Sequence, residues 1–553
     1  MTTLEIPDSY SPRQGRASTS SSAAQTVVDP EEYAEPEFPK VIPKTLPPEH
    51  ESRTLVLCFD GTGDQFDADN SNIVKLCWLL KKDDPSQQMV YYQSGVGTYE
   101  PPQVPGLLTS TMYKTVDLLI ACSLDAHVMD GYQFLMQNYH AGDRICIFGF
   151  SRGAYTARSL AGMLHKVGLL PPDNRQQIPF AYKWYTRTDE IGWQQSIAFK
   201  EAFCIDVPIE FVGVWDTVDS VGLVPRRLPF TASNTIIRTF RHALSLDEHR
   251  AKFKANLWNV PSAKVLKLST PKSSPWNSRK STMGSSSHKR RHIHVLDSGI
   301  KWYPQDDKVL EKMEELYALP SARPTDVEEV WFAGCHCDVG GGSVQNSTRY
   351  SLSRVPLRWM VRECFKAETG IMFDSERLRL IGLDPATLYP SVAPRPPAVS
   401  VGSSVIPKGE RKPPLLQRVL SIFRYHPLPV SDAQESSIED PPIGTEEEEE
   451  LRDALSLIYD QLNISKSWWI LELIPLEFRQ QLGNGEWLSW FGLNLGRPRK
   501  IPNSSKNVKV HRSVRMRMEA FHEHNLRKYK PRAHFKNPVW IDDEASTQHE
   551  EQN

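Results

Sequence analysis

The stretch ICIFGFSRGAYTARSL, residues 145–160, runs an apolar β-type segment (Ile145 to Phe148) without a break into Gly149-Phe150-Ser151-Arg152-Gly153. Helix-forming residues from Ala154 to Leu164 follow at once. The order is strand, sharp turn, helix. A serine at the centre of a G-x-S-x-G turn between a buried strand and a helix is held on a strained elbow. Its hydroxyl then stands above the sheet, and the helix N-terminus lies close enough to favour developing negative charge. Glycines at 149 and 153 leave the room that the tight turn requires. Ser151 is therefore the candidate nucleophile. The competing readings are a phosphate-binding strand–helix turn, which Arg152 suits, and a purely structural serine turn.

Working outward, other apolar runs of strand type each end in a short chemically loaded turn. TLVLCF at 54–59 ends in Asp60-Gly61-Thr62, IEFVGVW at 209–215 ends in Asp216-Thr217, and EEVWFA at 328–333 ends in Gly334-Cys335-His336-Cys337-Asp338. Between them lie a capped helix from about Asn70, a second short strand MVYY at 89–92 and a helical segment from about Tyr113 to Asn138. Residues 241–249 read as a further helix and 352–367 as an amphipathic one. Strands that are apolar throughout and alternate with helices predict an α/β fold, a mostly parallel sheet with helices on both faces. In such sheets the ligand crevice lies at the carboxyl ends of the strands, so the four turns are expected on one rim.

The 553 residues carry 65 basic and 67 acidic side chains, a net charge of -2, so no global field attracts nucleic acid, and no nucleic-acid partner is expected. The eight cysteines lie mostly in apolar runs without regular spacing and read as reduced core residues. Cys335-His336-Cys337 has no second half to complete a tetrahedral metal set, and no cofactor is expected. No stretch approaches the roughly 20 apolar residues of a membrane span, and residues 1–25 lack the apolar core of a secretory signal, so a cytoplasmic location is expected.

Composition sets the expected domain boundaries. Residues 1–50, rich in Ser, Pro and Glu, read as a disordered arm ahead of a catalytic region at 51–375. Within it, 262–292 is a Ser-rich basic insert, read as a solvated loop or alternatively a nuclear address. Residues 391–450, ending in the five glutamates Glu446 to Glu450, read as a second disordered insert; 451–532 returns to the catalytic region and 533–553 is a tail. The Trp468-Trp469-Ile470-Leu471 cluster reads as core packing or as cover over a lipid-accepting cleft.

A serine nucleophile needs an imidazole to take its proton and a carboxylate to fix that imidazole's tautomer, in the chain order Ser, acid, His on a sheet of this type. The candidate acids are Asp216 and Asp338; the candidate bases are His249, His336 and His511. Residues two apart on a loop project side by side, so His336 and Asp338 cannot serve each other. The favoured set is Ser151, Asp338 and His511, with Asp216 and His336 as the alternative pair. The oxyanion donors are expected from the backbone of Arg152 and of the Gly61-Thr62 turn, with Asp60 as its anchor. A metal-dependent phosphate hydrolase using Asp60, Asp216 and Asp338 is a further alternative.

FDGTG at 59–63, NSNI at 70–73, SGVGT at 94–98, GFSRGAYTARSLAGML at 149–164, VGVWDTVDSVG at 212–222, ALSLDEHR at 243–250 and WFAGCHCDVGGG at 331–342 together resemble an α/β hydrolase family. Its bacterial members include type VI secretion phospholipase effectors, and its fungal members are numerous. The resemblance covers about 53–375 and resumes near 451–532, where WWILELIP, NLGRPRKIP and VHRSV are similar to the family's C-terminal part. It implies a fungal lipase or esterase with Ser151, Asp338 and His511 as its triad. An ester or phospholipid would be the substrate, with transient contact to a membrane surface. Cys337 stands where a serine is more usual. The rival from another class is a non-catalytic scaffold on a hydrolase fold.

Overall fold

The computed structural model describes residues 38–43, 52–62, 64–95, 110–218, 227–259, 310, 313–314, 324–408, 444–481, 487–502 and 507–543. Most of the N-terminal arm, all of the basic insert at 262–292 and residues 409–443 of the second insert lie outside this set.

The first six strands of the main sheet are β1 (Thr54–Phe59), β2 (Gln88–Gln93), β3 (Arg144–Phe150), β4 (Ile209–Trp215), β5 (Ile237–Ser245) and β6 (Asp326–Phe332). A separate antiparallel hairpin pairs β7 (Leu476–Gln481) with β8 (Trp487–Gly492). The chain then returns to the main sheet with β9 (Lys509–His511) and β10 (Val539–Ile541). The eight-stranded sheet has the order β10-β9-β6-β5-β4-β3-β1-β2, and every neighbouring pair is parallel. All the strand carboxyl ends therefore face one rim, as the sequence predicts.

Helices α1 (Asn72–Leu79), α2 (Ser110–Asn138), α3 (Arg152–Val167), α4 (Ile178–Thr186) and α5 (Glu190–Phe203) precede β4. Side chains alternate between the two faces of a strand, so β3 serves two cores. Ile145 and Ile147 join the cluster formed with Leu160, Met163 and Tyr185 of α3 and α4. Phe148 points the other way, onto the rings of Phe211 and Trp215. On that second face the Trp215 indole donates to Pro356 O of α7 (Arg354–Lys366), after the short α6 (His336–Gly340). Both sheet faces are thus covered, which is why the central strands are apolar throughout. Among the described residues no helix is long and apolar enough to cross a membrane.

Three sequence expectations fail here for physical reasons. Residues 241–245 belong to strand β5, not to a helix. Arg241 is buried there because Glu363 and Asp326 take its guanidinium at 2.6 and 2.7 Å, and His242 because Glu329 meets its Nδ1 at 2.8 Å. Long-range partners, not local propensity, decide this segment. Residues 539–541, expected in a tail, are the edge strand β10.

The glutamate run, expected in a disordered insert, opens α8 (Glu446–Ala454), with Thr445 and Glu448 forming a capping box. Glu449 and Glu450 are 1% exposed. Glu449 meets Arg354 at 3.0 Å and Glu450 meets Arg512 at 2.7 Å, while Asp453 meets Arg358 at 2.6 Å. A like-charge run reads as solvated only if its countercharges are out of view in the sequence, as they are here.

Burial would raise the Glu450 carboxyl, but Arg395, His511 and Arg512 hold it down at about 2. A folded-state pKa below the ordinary value means that the unfolded chain binds the proton first. This stability contribution is present above about pH 4.5 and is lost as the pH falls toward 2. Glu450→Ala strands a buried guanidinium and is expected to cost about 3 to 5 kcal/mol in denaturant unfolding at neutral pH; a change under 1 kcal/mol would contradict this account.

Candidate active site

Ser151 closes β3 with φ 59° and ψ -121°. That left-handed geometry strains a non-glycine residue and marks a turn over-determined by its surroundings. The surroundings are on hand. A Cβ on Gly153 would come within 2.3 Å of the carbonyl oxygens of Phe59 and Asp60, and one on Gly340 within 1.8 Å of the Phe150 ring. The end of β1, the elbow and α6 can meet only because both positions lack side chains. Ser151 is 5% exposed.

The imidazole that reaches Ser151 is that of His336. Its Nε2 lies 2.7 Å from Ser151 Oγ, and its Nδ1 lies 2.6 Å from Asp216 Oδ2. His336 opens α6 just beyond β6, Ser151 follows β3, and Asp216 follows β4, the strand beside β3. Asp216 also has a positive φ, 43°. The three residues stand in the chain order Ser, acid, His. The ring of His336 is packed between Phe150 and Phe253, with centroids 4.7 and 4.8 Å away. Burial lowers the His336 pKa below the ordinary 6.5, against the opposing pull of Asp216. The ring is therefore neutral at pH 7 and able to take a proton.

Asp216 has no exposed surface. Burial pushes its carboxyl up, yet it is held well below the usual carboxylate range, first by Arg499 and then by His336. Arg499 donates to both carboxylate oxygens, at 2.5 and 2.8 Å, and Ser245 N donates to Oδ1 at 2.9 Å. Glu248 steadies the other side: its Oε2 accepts the backbone N–H of His336 at 3.3 Å, and Arg250 holds the carboxyl down at about 2 against burial.

The favoured partners in the sequence reading, Asp338 and His511, are not the ones the fold brings to Ser151. Asp338 is the third residue of α6 and turns back on itself. Its carboxylate accepts the N–H of Cys335 at 2.9 Å and of Tyr459 at 3.0 Å. Burial raises its pKa to about 7. It caps the helix that carries His336. His511 stacks on Phe332 at 4.9 Å, contacts Ser513 Oγ at 2.9 Å and faces Glu450 and Asp542 at 3.6 and 3.5 Å. It ties β9 to α8 and β10. His249 lies against Asp460 at 3.0 Å and Gly496 O at 3.1 Å. The alternative pair, Asp216 and His336, is the one that meets Ser151.

The turn after β1 sits as expected against the elbow, where the Arg152 guanidinium reaches Thr62 Oγ1 at 3.1 Å. Asp60 anchors it: Oδ1 accepts from Ser71 Oγ at 2.6 Å and from Gly61 N at 2.8 Å, and Oδ2 from Tyr92 OH at 2.9 Å. The Gly61 N–H is thus turned away onto Asp60, which leaves Thr62 of the two residues named for an oxyanion donor. Asp60, Asp216 and Asp338 each have protein donors of their own. Among the described residues no cluster of three or more His, Cys, Asp or Glu could hold a metal ion.

Arg499 and Glu248 escaped the sequence reading. Both lie in stretches already singled out, NLGRPRKIP and ALSLDEHR. Neither carries a local signal, since Arg499 stands beside Arg497 and Lys500, and Glu248 beside Asp247 and Arg250, as charged residues of a solvated loop would.

Residues 53–363 match the family model described as the T6SS phospholipase effector Tle1-like catalytic domain. An uncharacterized protein of Saccharomyces cerevisiae, YEL023C, is 29% identical over 569 residues, covering 86% of this chain and 80% of that protein. Two solved structures are similar at low identity. One is an uncharacterized protein from Pseudomonas aeruginosa (19% identity, TM-score 0.29, 58% of this chain and 46% of that one). The other is the Tle1 effector bound to the VgrG spike of the type 6 secretion system (16% identity, TM-score 0.24, 54% of this chain and 52% of that one). The matched region is about half the length of each solved chain.

Replacing Arg499 by Met leaves His336 as the one cationic partner named for Asp216 beside the Ser245 N–H, so the imidazolium gains. The His336 pKa is expected to rise, read by NMR titration of its ring protons, whereas Arg499→Lys should shift it less. An unmoved titration would show that Arg499 does not act through the carboxylate.

Proposed function

The chain belongs to the family of the T6SS phospholipase effector Tle1-like catalytic domain, and from that premise we propose that it hydrolyses carboxylic esters of lipids or phospholipids with Ser151, His336 and Asp216 as its triad. The observation that carries this reading is the unbroken line of short contacts from Ser151 Oγ through His336 to Asp216 Oδ2, at 2.7 and 2.6 Å.

In the proposed sequence His336 Nε2 takes the Ser151 proton as Oγ attacks the ester carbonyl. It then gives that proton to the departing alcohol, leaving an acyl-enzyme. Water enters and His336 takes its proton as the oxygen attacks the carbonyl carbon; the carbon–Oγ bond then breaks, His336 returns the proton to Oγ, and the acid leaves with Ser151 restored. Asp216 stays ionised throughout, since Arg499 and the backbone of Ser245 already satisfy it. It fixes Nδ1–H and so leaves Nε2 as the acceptor. The amides of Arg152, at the first position of α3, and of Thr62 are the proposed oxyanion donors. Asp338 and His511 are assigned positioning and structural roles.

Purified protein given a short-chain ester and phosphatidylcholine is expected to turn over both, and Ser151→Ala to reduce turnover to background. Equal rates for the two proteins would eliminate the serine mechanism. Asp216→Asn presents the wrong tautomer and is expected to lose on the order of 10³- to 10⁴-fold in kcat, while Asp338→Asn stays within about tenfold. The reverse ranking would restore Asp338 as the acid.

Because burial holds the His336 pKa below 6.5, the base form persists into mild acid. The acid limb of kcat/KM is expected below about pH 6.5, and a limb clearly above it would contradict the assignment.

A further inference from the structure

Among the described residues nineteen large apolar side chains are exposed, and nine of them fall between Trp469 and Leu495. Phe491 is 73% exposed, Leu473 60% and Ile470 53%. So dense a group, in a stretch outside the matched catalytic region, calls for a partner.

The apolar side chains sit on two strips, the short helix Trp469–Glu472 with the residues after it, and the β7–β8 hairpin with the turn that follows. One carboxylate joins them. Glu472 accepts the backbone N–H of Ala251 at 2.5 Å and of Gly496 at 2.8 Å, and the Asn494 amide at 2.6 Å. Both strips are thereby pinned to the loop whose Phe253 packs on His336. Trp468 meets that same phenyl ring at 5.5 Å.

The surrounding charge is mostly positive. Among the described residues Lys466, Arg497 and Lys500 are exposed, against one exposed carboxylate, Glu477. Lys500 Nζ lies 5.6 Å from the Trp490 ring. A surface tryptophan flanked by lysine suits the boundary between acyl chains and anionic head groups. A protein partner of unrelated chemistry would not need that pairing.

We propose that residues 466–481 and 487–500 form an interfacial lobe that seats on a lipid surface bearing anionic head groups and holds the Ser151 site beside it. Its purpose rests on the ester-hydrolase reading; its observations do not. Arg499, in the irregular segment after β8, clamps Asp216, so the lobe that meets the lipid also steadies the triad.

The test uses full-length Ser151→Ala protein, so that binding is read without turnover, and co-sedimentation with phosphatidylcholine vesicles with and without phosphatidylserine. Binding is expected, tighter with phosphatidylserine and weakened by salt. Ile470→Ser with Leu473→Ser should weaken it by about tenfold or more, with circular dichroism unchanged. Lys466→Gln with Lys500→Gln should remove most of the preference for phosphatidylserine. Absence of binding, or binding indifferent to the two serines, would overturn the proposal. So would a concentration-dependent dimer, seen by sedimentation velocity, that the two serines abolish without any vesicle binding: the occupant would then be a second copy. A failure here leaves the triad standing, and a failure of ester hydrolysis leaves vesicle binding standing.

Discussion

A carboxylate with no exposed surface, Asp216, is held between the Arg499 guanidinium and the His336 imidazole. A buried charge is expensive unless paired and hydrogen-bonded, and an unpaired one would instead take up a proton. The guanidinium keeps Asp216 ionised, and the ionised carboxylate keeps the imidazole in the tautomer whose second nitrogen faces Ser151. Arg499 comes from the C-terminal part of the chain, more than 280 residues from its partner. The site is therefore complete only when the late segment has docked on the sheet built by the early one.

The parallel sheet supplies the rest of the geometry. With β3 beside β4 and β6 two strands further on, the three carboxyl-end turns are spaced so that serine, acid and histidine reach one another across the rim. Strain accompanies this, in the positive φ of both Ser151 and Asp216. A second electrostatic framework, α8 against α7 and α9 (Arg512–Glu519), fastens the opposite side of the sheet through Glu449, Glu450 and Asp453. His511 belongs to that framework, which explains how a histidine at the end of a parallel strand is buried yet plays no part at Ser151.

Much of this is legible in the sequence. The strand–turn–helix around Ser151, the alternation that fixes a parallel sheet and the turns that share a rim all follow from short-range patterns. What could not be read was partner choice. The rule that acid precedes histidine is obeyed equally by Asp216 with His336 and by Asp338 with His511, so it could not discriminate. Residues two apart on a loop cannot face each other, and His336 and Asp338 do not pair; that same spacing leaves His336 free for Asp216. Arg241 and the glutamates of α8 mislead for a related reason. Their burial depends on countercharges about 60 to 120 residues away, which no local window contains.

The central claim is that His336, and no other imidazole, activates Ser151. Labelling by a fluorophosphonate probe, followed by peptide mass mapping, tests it most directly, because the probe reacts with an activated serine whatever the natural substrate. The account predicts an adduct on Ser151 in the wild-type chain and in folded His511→Asn, and none in folded His336→Asn. Equal labelling of Ser151 with and without the His336 imidazole would contradict it.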